Sequence, residues 1–473
     1  MDAYVICLYS PQNGGCSSDG RAPGCGPGGR GFKSHQSPQV EVDNQGSIPC
    51  GRPNSDTLLD MNTSQLDAIA TRFAGLLAKH YEAGFGISPA SEPSENFYRQ
   101  VWTRDFAHAA AHYFISANPQ AVEDSLSTLL RHQRIDGTLP IRVEKEYLVI
   151  KLIPGLRWLA RPMFVLVEGV LRGRTERPVY KGQDFLHSED TIPDALIAAG
   201  VYGAASECGR VFITSHAKTL YRALDHFSSK IGPDGLVDVP RGNVDWADSI
   251  LRGGTLGLVN VLWVRALELM IPVLSGVPEA EKVQHLYGQA RSSLMEKLYD
   301  QTGAYVRASA GEGRIDAAAT VLGALFFLGA DDCVRVQETL KARLKKTSGL
   351  GNFEPRYPSN DILWPLKIIR HQEYHNGYVW PWVTLQNIHV KIKIAQTHPD
   401  GAVREQYKKE SVEDLHDAAA LFEGAGGAYE VFFPDTRKPA DTRWYHPPRF
   451  FLANMAAFMS VYSKLKSLGW LAD

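Results

Sequence analysis

Several common signatures are missing from this chain. No stretch is both long and apolar enough to span a bilayer. The most hydrophobic segment, 147–170, carries Lys151, Arg157, Arg161 and Glu168, whereas a spanning helix needs about 20 apolar residues with few charges. That segment is expected to form a buried or amphipathic helical hairpin, broken at Pro154-Gly155. The opening Met1-Asp2-Ala3 is acidic where a secretion signal starts basic, so a cytoplasmic place is expected. An excess of one charge is also missing: 50 Lys and Arg face 52 Asp and Glu, a net charge of −2. Neither nucleic acid nor an anionic membrane is therefore an expected partner. Cysteine is sparse and unpaired in spacing. Cys7, Cys16, Cys25 and Cys50 lie near the N-terminus, and Cys208 and Cys333 stand alone in the body, which disfavours a zinc site and suggests a reduced compartment. The 15 histidines form no HExxH pattern, and no metal is expected. Phosphate loops, dinucleotide fingerprints and the Gly-x-Ser-x-Gly elbow are missing too, so no cofactor is expected. No repeat is visible, which disfavours an array of TPR or ankyrin type.

The body has a strong helical period. Residues 10–56 are rich in Gly, Ser, Pro and Asn and bury too little to offset their ordering entropy; a disordered extension is expected over 1–60. From Thr63 onward apolar residues recur at three- and four-residue spacing. The clearest segments are 64–82, 105–117, 121–133, 190–203, 214–228, 256–272, 279–298, 315–328, 334–346, 378–396, 411–422 and 449–467. Turn clusters such as Gly232-Pro233-Asp234-Gly235 separate them. Twelve helices with little strand alternation predict an all-α fold: six hairpins closed into an (α/α)6 toroid over 61–473, with a cleft formed by loops at one end.

Two distant acidic segments carry the chemistry. In Asp245-Trp246-Ala247-Asp248-Ser249, two carboxylates flank an indole; in Gly427-Ala428-Tyr429-Glu430-Val431, a Glu follows a Tyr. Two carboxylates in an aromatic, polar cleft suit cleavage of a glycosidic bond, where one group protonates the leaving oxygen and the other activates water or attacks the sugar. Burial beside an indole or a like charge raises a carboxyl pKa toward that of a general acid, which favours Asp248; Asp245 is the alternative acid or a ligand of a sugar hydroxyl. An N-cap is the competing reading of Asp248, and a solvent-exposed loop residue that of Glu430. Trp102-Thr103-Arg104-Asp105 opens a helix, and its Arg–Asp pair beside Trp could hold a terminal sugar by stacking and bidentate hydrogen bonds. His375-Asn376-Gly377 followed by Trp380-Pro381-Trp382 is the densest binding-type cluster, with His375 read as binding rather than catalytic. Asp190 either lines the cleft or caps the helix after it.

These segments, in this order, resemble those of the six-hairpin glycosidases. The neutral/alkaline invertases are similar, and so is the glucosidase domain of glycogen-debranching enzymes. The resemblance runs over about 95–465. It implies that Asp248 is the proton donor, since Trp246-Ala247-Asp248 falls on the invertases' Met-Ile-Asp. It makes Glu430 the second catalytic group, since Ala428-Tyr429-Glu430 falls on their Trp-Pro-Glu-Tyr segment. Two departures bear on the substrate. Glu189-Asp190-Thr191-Ile192-Pro193 replaces the invertases' Asp-Ser-Gly followed by two aromatics, and Tyr378-Val379 replaces Gly-Ser. The retained Trp-x-Arg-Asp of the debranching type leans toward an α-glucoside over sucrose. The expected substrate is a small or oligomeric glucoside, cleaved with inversion. An epimerase or isomerase working through histidines, or a sugar-binding protein without turnover, are the alternatives on the same toroid.

Overall fold

A computed structural model of the chain describes residues 62–89, 100–147, 174–183, 187–276, 278–368 and 370–471. The extension expected over 1–60 and, beyond Tyr147, the hairpin expected over 147–170 lie outside the described residues.

Helix α1 (Thr63–Leu77) starts with a capping box: Asn62 Oδ1 accepts from the Gln65 amide while Gln65 Oε1 accepts from the Asn62 amide. Helix α2 (Thr103–Ala109) continues through a π-turn, Ala110–Phe114, into a last turn, Ile115–Ala117. Then follow α3 (Pro119–Arg131), α4 (Thr191–Ala205), α5 (Glu207–Ser215), α6 (Ala217–Ser228) and α7 (Gly257–Val273). Next come α8 (Ala280–Lys297), α9 (Ala317–Phe327), α10 (Ala330–Arg343) and the short α11 (Trp364–Ile368). The last are α12 (Pro381–Thr397), α13 (Gly401–Ala425) and α14 (Leu452–Ser467).

Six of these form a closed inner ring. Each of α2, α4, α7, α9, α12 and α14 packs on the next, and α14 packs back on α2. The fold is an (α/α)6 toroid, as expected. Sequence decides which helix is inner. Helix α7 is apolar all round and is buried from Gly257 to Ala266 without a break, as a helix with neighbours on every side must be. Its outer partner α8 buries only Val283, Ala290 and Leu294, the narrow stripe of a surface helix.

Short strands were not foreseen. Val101–Trp102, Arg142–Tyr147 and Arg174–Val179 make a three-stranded antiparallel sheet. Glu144 in its middle strand is buried and pairs with both Arg142 and Arg177, so charged residues at inward positions mask the alternation. The other pairs join strands of two to four residues, too short to show a period.

The inner helices present their N-termini to one end of the ring. At that end Arg104 in the first turn of α2 meets Asp190 at the N-cap of α4, and Arg252, before α7, meets Asp316 at the N-cap of α9. The loops preceding α7, α12 and α14 carry Asp245–Asp248, His375–Trp380 and Glu430. All the acidic candidates therefore belong to one face.

Candidate active site

Arg104 is the cation at the centre of this face. Its Nε and one terminal nitrogen donate to the two oxygens of Asp190 at 2.8 and 3.0 Å, and that nitrogen also reaches Ser188 Oγ at 3.1 Å. Bidentate pairing of this kind fixes orientation as well as charge. Asp190 makes no side-chain cap bond to α4; its carboxylate serves Arg104 instead. Beside the pair stand Asp105 and Asp194, giving several carboxylates around one guanidinium. Burial raises the Asp105 carboxyl to about 6, against the pull of Arg104, and raises Asp190 and, further, Asp194. Asp194 Oδ2 is buried without a hydrogen-bond partner, consistent with a protonated, neutral acid.

Asp248 lies in the loop between the strands Val239–Gly242 and Arg252–Gly254, nine residues before α7 begins, so it does not cap that helix. Its side chain keeps 31 % of its surface open, which leaves it accessible. Burial by the surrounding walls lifts its pKa to about 7; Arg104 opposes the shift, and the charges of Asp190, Asp245 and Asp105 add to it. His375 Nδ1 sits 3.7 Å from Asp248 Oδ1 and 2.9 Å from Ser249 Oγ. Burial holds His375 well below its ordinary pKa, so the ring is neutral. Trp380 stacks on it at 4.7 Å and 10°, while Trp246 meets both rings, and Trp382, edge-on. Trp246 is thus a buried pillar under the site.

Glu430 follows Gly426 and Gly427, where α13 ends. Gly426 takes the left-handed conformation at φ 75° that ends many helices. Gly427 runs so close to Arg449 that a Cβ would lie 2.7 Å from the Arg449 carbonyl oxygen. The Glu430 side chain is buried and accepts from the phenols of Tyr445 and Tyr374. Burial pushes it up to about 8 in spite of those two donors, with the charges of Asp105 and Asp248 contributing.

Two expected contacts are occupied within the protein. Asp245 is fully buried; both its oxygens accept from Arg252, one also from the Ala247 amide at 3.1 Å, and Arg252 bridges on to Asp316 Oδ2 at 3.1 Å. Asn376 uses its oxygen and nitrogen on the Tyr357 amide and carbonyl, at 2.8 and 3.0 Å. Both residues hold loops in place. Trp102, half-buried in the sheet, lies beneath the Arg142 guanidinium at 4.7 Å. Tyr374, Tyr445, Ser188 and Arg252 were not singled out beforehand. Tyr374 directly precedes the His375 cluster and so was within reach of a sequence reading; Tyr445, 15 residues after Glu430 in the chain, obeys no spacing rule. Among the described residues no helix is long and apolar enough to cross a membrane, and no group of three or more His, Cys, Asp or Glu could hold a metal ion.

No family model matches the chain, and no curated protein matches it in sequence. Solved structures do. A glycosidase superposes at a TM-score of 0.57 over 88 % of this chain and 99 % of its own, at 12 % identity. A rhamnosidase from Klebsiella oxytoca with rhamnose bound gives 0.57 over 87 % of this chain and 65 % of its own, also at 12 %. The fold is that of the toroid glycosidases. A GH63 mannosylglycerate hydrolase from Thermus thermophilus extends the likeness: TM-score 0.53, 14 % identity, 84 % of this chain and 99 % of that one. The toroid glycosidase fold therefore accounts for most of the described chain.

Proposed function

We propose that this protein is a glycoside hydrolase that cleaves an α-glucosidic bond with Asp248 and Glu430. The observation that supports it best is the pairing on one face of two carboxyl groups from distant loops, each raised toward neutrality and each acting on the other's charge. Asp248 gives its proton to the glycosidic oxygen as the bond from C1 to that oxygen breaks. Glu430 takes a proton from a water whose oxygen bonds to C1 on the opposite face, and the two proton inventories are restored through solvent. Arg104, held by Asp190, and Asp105 bind the hydroxyls of the glucosyl unit whose C1 the water attacks, with His375 and Trp380 as the wall.

The pKa order, about 8 for Glu430 and about 7 for Asp248, is the reverse of what a base and an acid need. The roles are assigned on geometry instead: the phenols of Tyr445 and Tyr374 hold Glu430 as an acceptor. Among the described residues Asp248 has no such donors. The neutral imidazole of His375 stands 3.7 Å away, and 31 % of the Asp248 side chain is open.

Comparing two leaving groups tests the assignment. α-Glucosyl fluoride departs with little need of a proton, whereas maltose needs one. Asp248→Asn should lower kcat on maltose by roughly 10²–10⁴-fold and spare the fluoride far more. Glu430→Gln should lower both. Equal losses on both substrates for Asp248→Asn would remove it as the acid. The anomer formed first from the fluoride, read by proton NMR, should be β, as inversion requires; inverting carboxyl groups lie about 6.5–9.5 Å apart.

A further inference from the structure

Glu189 stands next to Asp190 in the chain and gathers more cation than its single charge needs. Its side chain is 1 % exposed. One oxygen accepts from Lys230 Nζ at 2.6 Å and the other from Lys181. All three residues line a cavity of about 240 Å³, bounded by the turn 134–141, the first turn of α4 and the end of α6. A third cation, Arg134, lines it too, with its guanidinium over the Tyr180 ring at 3.7 Å. Among the described residues no ion pair joins Arg134 to a carboxylate. Three cations therefore face one carboxylate. Asp136, on the exposed turn, accepts from the Thr138 amide at 2.9 Å; counting its charge as well still leaves a positive surplus.

These groups are held in place. Gly137, at φ 94°, sits against α6 with no room for a Cβ beside the Arg222 carbonyl oxygen, and its amide donates to the Arg134 carbonyl at 3.0 Å. That anchors the turn bearing Arg134. Lys181 and Lys230 are 34 % and 23 % exposed and are fixed by the buried Glu189. Each ammonium has three donors, so the bonds to Glu189 leave others for a ligand. Like charges gathered in a partly desolvated cavity repel one another, and an anion among them removes that cost. The N-terminus of α4 adds its dipole in the same sense. Leu139, Ile192 and Phe227 supply an apolar part of the lining.

We propose that this cavity binds the phosphate group of a small ligand through Arg134, Lys181 and Lys230. Arginine meets phosphate through its planar fork and lysine as a point charge. A phosphate monoester carries about two negative charges near neutral pH, which matches the surplus better than the single charge of a carboxylate. The volume lies below the ~300–1,000 Å³ of drug-sized sites, so the ligand is phosphate itself or phosphate on one small unit such as a sugar ring. Ser188 lines the cavity and also accepts from Arg104 at 3.1 Å. Arg104, Asp105, Asp190, Asp248 and Glu430 are not part of the lining, so this site stands or falls independently of the glycosidase reading.

Calorimetric titration of the full chain tests this, with inorganic phosphate, glucose 6-phosphate and glucose as probes at one ionic strength. Wild type, Arg134→Gln, Lys181→Gln and the surface control Arg210→Gln, on α5 and outside the lining, would be compared. Wild type should bind at least one of the two phosphate probes, one per chain, and glucose should give no saturable heat. Arg134→Gln and Lys181→Gln should each weaken that binding about tenfold or more, and Arg210→Gln should leave it unchanged. Tighter binding of glucose 6-phosphate would identify an ester as the ligand, and equal or weaker binding would identify the free ion. Arg134 is exposed, and Glu189 keeps Lys230 when Lys181 is replaced, so both variants should melt with wild type in the absence of phosphate, which separates binding from folding. No saturable binding of either phosphate probe at millimolar concentration would overturn the proposal. Binding of equal strength in wild type and both lining variants would overturn it too, because the anion would then lie elsewhere.

Discussion

Tyr445 shows how a single side chain sets the chemistry of this face. Its phenol and that of Tyr374 offset part of the burial that raises Glu430 to about 8. Removing one donor with Tyr445→Phe should push the Glu430 pKa higher, so the acid limb of the pH–kcat/KM profile moves to higher pH and the rate at pH 7 falls several-fold. An unmoved limb would separate Tyr445 from the titration. The raised carboxyls also affect stability. Folded values near 8 for Glu430 and 7 for Asp248 lie above the unfolded 4.5 and 3.8. Each group's contribution is therefore fully present below the unfolded value and is lost as pH rises through the folded one. Glu430→Gln and Asp248→Asn should then melt higher than wild type at pH 8, by ~2 °C or more, with the advantage gone near pH 4. Calorimetry at the two pH values reads this directly. Both carboxyls could be singled out in the sequence because an aromatic residue stands within two positions of each. Their partners were not: the Tyr445–Glu430 contact depends on how two loops fold back, which local pattern does not encode.

At the level of elements, the loop 245–252 shows why one carboxylate of a pair is scaffold and the other is free. Asp245 and Asp248 are indistinguishable by type, and only the position of Arg252, buried at the start of a strand, separates them. Arg252→Met would leave Asp245 and Asp316 buried without their shared cation. Breaking a buried pair in this way costs ~3–5 kcal/mol, so a large fall in melting temperature together with lost activity is expected in a thermal melt and rate assay. A variant as stable as wild type would show that the ion triad does not hold the loop. The Gly426-Gly427 step is the corresponding device before Glu430. Helix existence was readable at this scale from spacing. Boundaries were less so: α13 begins at Gly401, ten residues before the apolar spacing becomes clear, because it is an outer helix whose first turns face solvent.

For the whole molecule, ring closure explains why residues more than 300 positions apart in sequence share one face: Arg104 opens the first inner helix and Glu430 precedes the last. The count of helical segments was enough to suggest a toroid, but not which residues fill its axis. There α2, α12 and α14 place His112, His389 and Ser460 together, with Ser460 Oγ 3.3 and 3.0 Å from the two rings and His108 packed on His112. Burial depresses these histidines, His112 to about 4 and His389 to about 3. A depressed folded value gives stability that is present above about 6.5 and lost as pH falls toward 4. With the carboxyls acting in the opposite direction, the melting temperature should peak near pH 6 and fall on both sides. A melt that stays flat from pH 6 down to 4 would show that the axial histidines are not buried as neutral rings.

The most direct test of the central claim is release of reducing sugar from sucrose, trehalose, maltose, isomaltose, glucosylglycerate and limit dextrin by wild type, Asp248→Asn and Glu430→Gln. Turnover of an α-glucoside by wild type, lost in both variants while their folds persist, is the predicted result. Turnover that survives either substitution at the wild-type rate would contradict it.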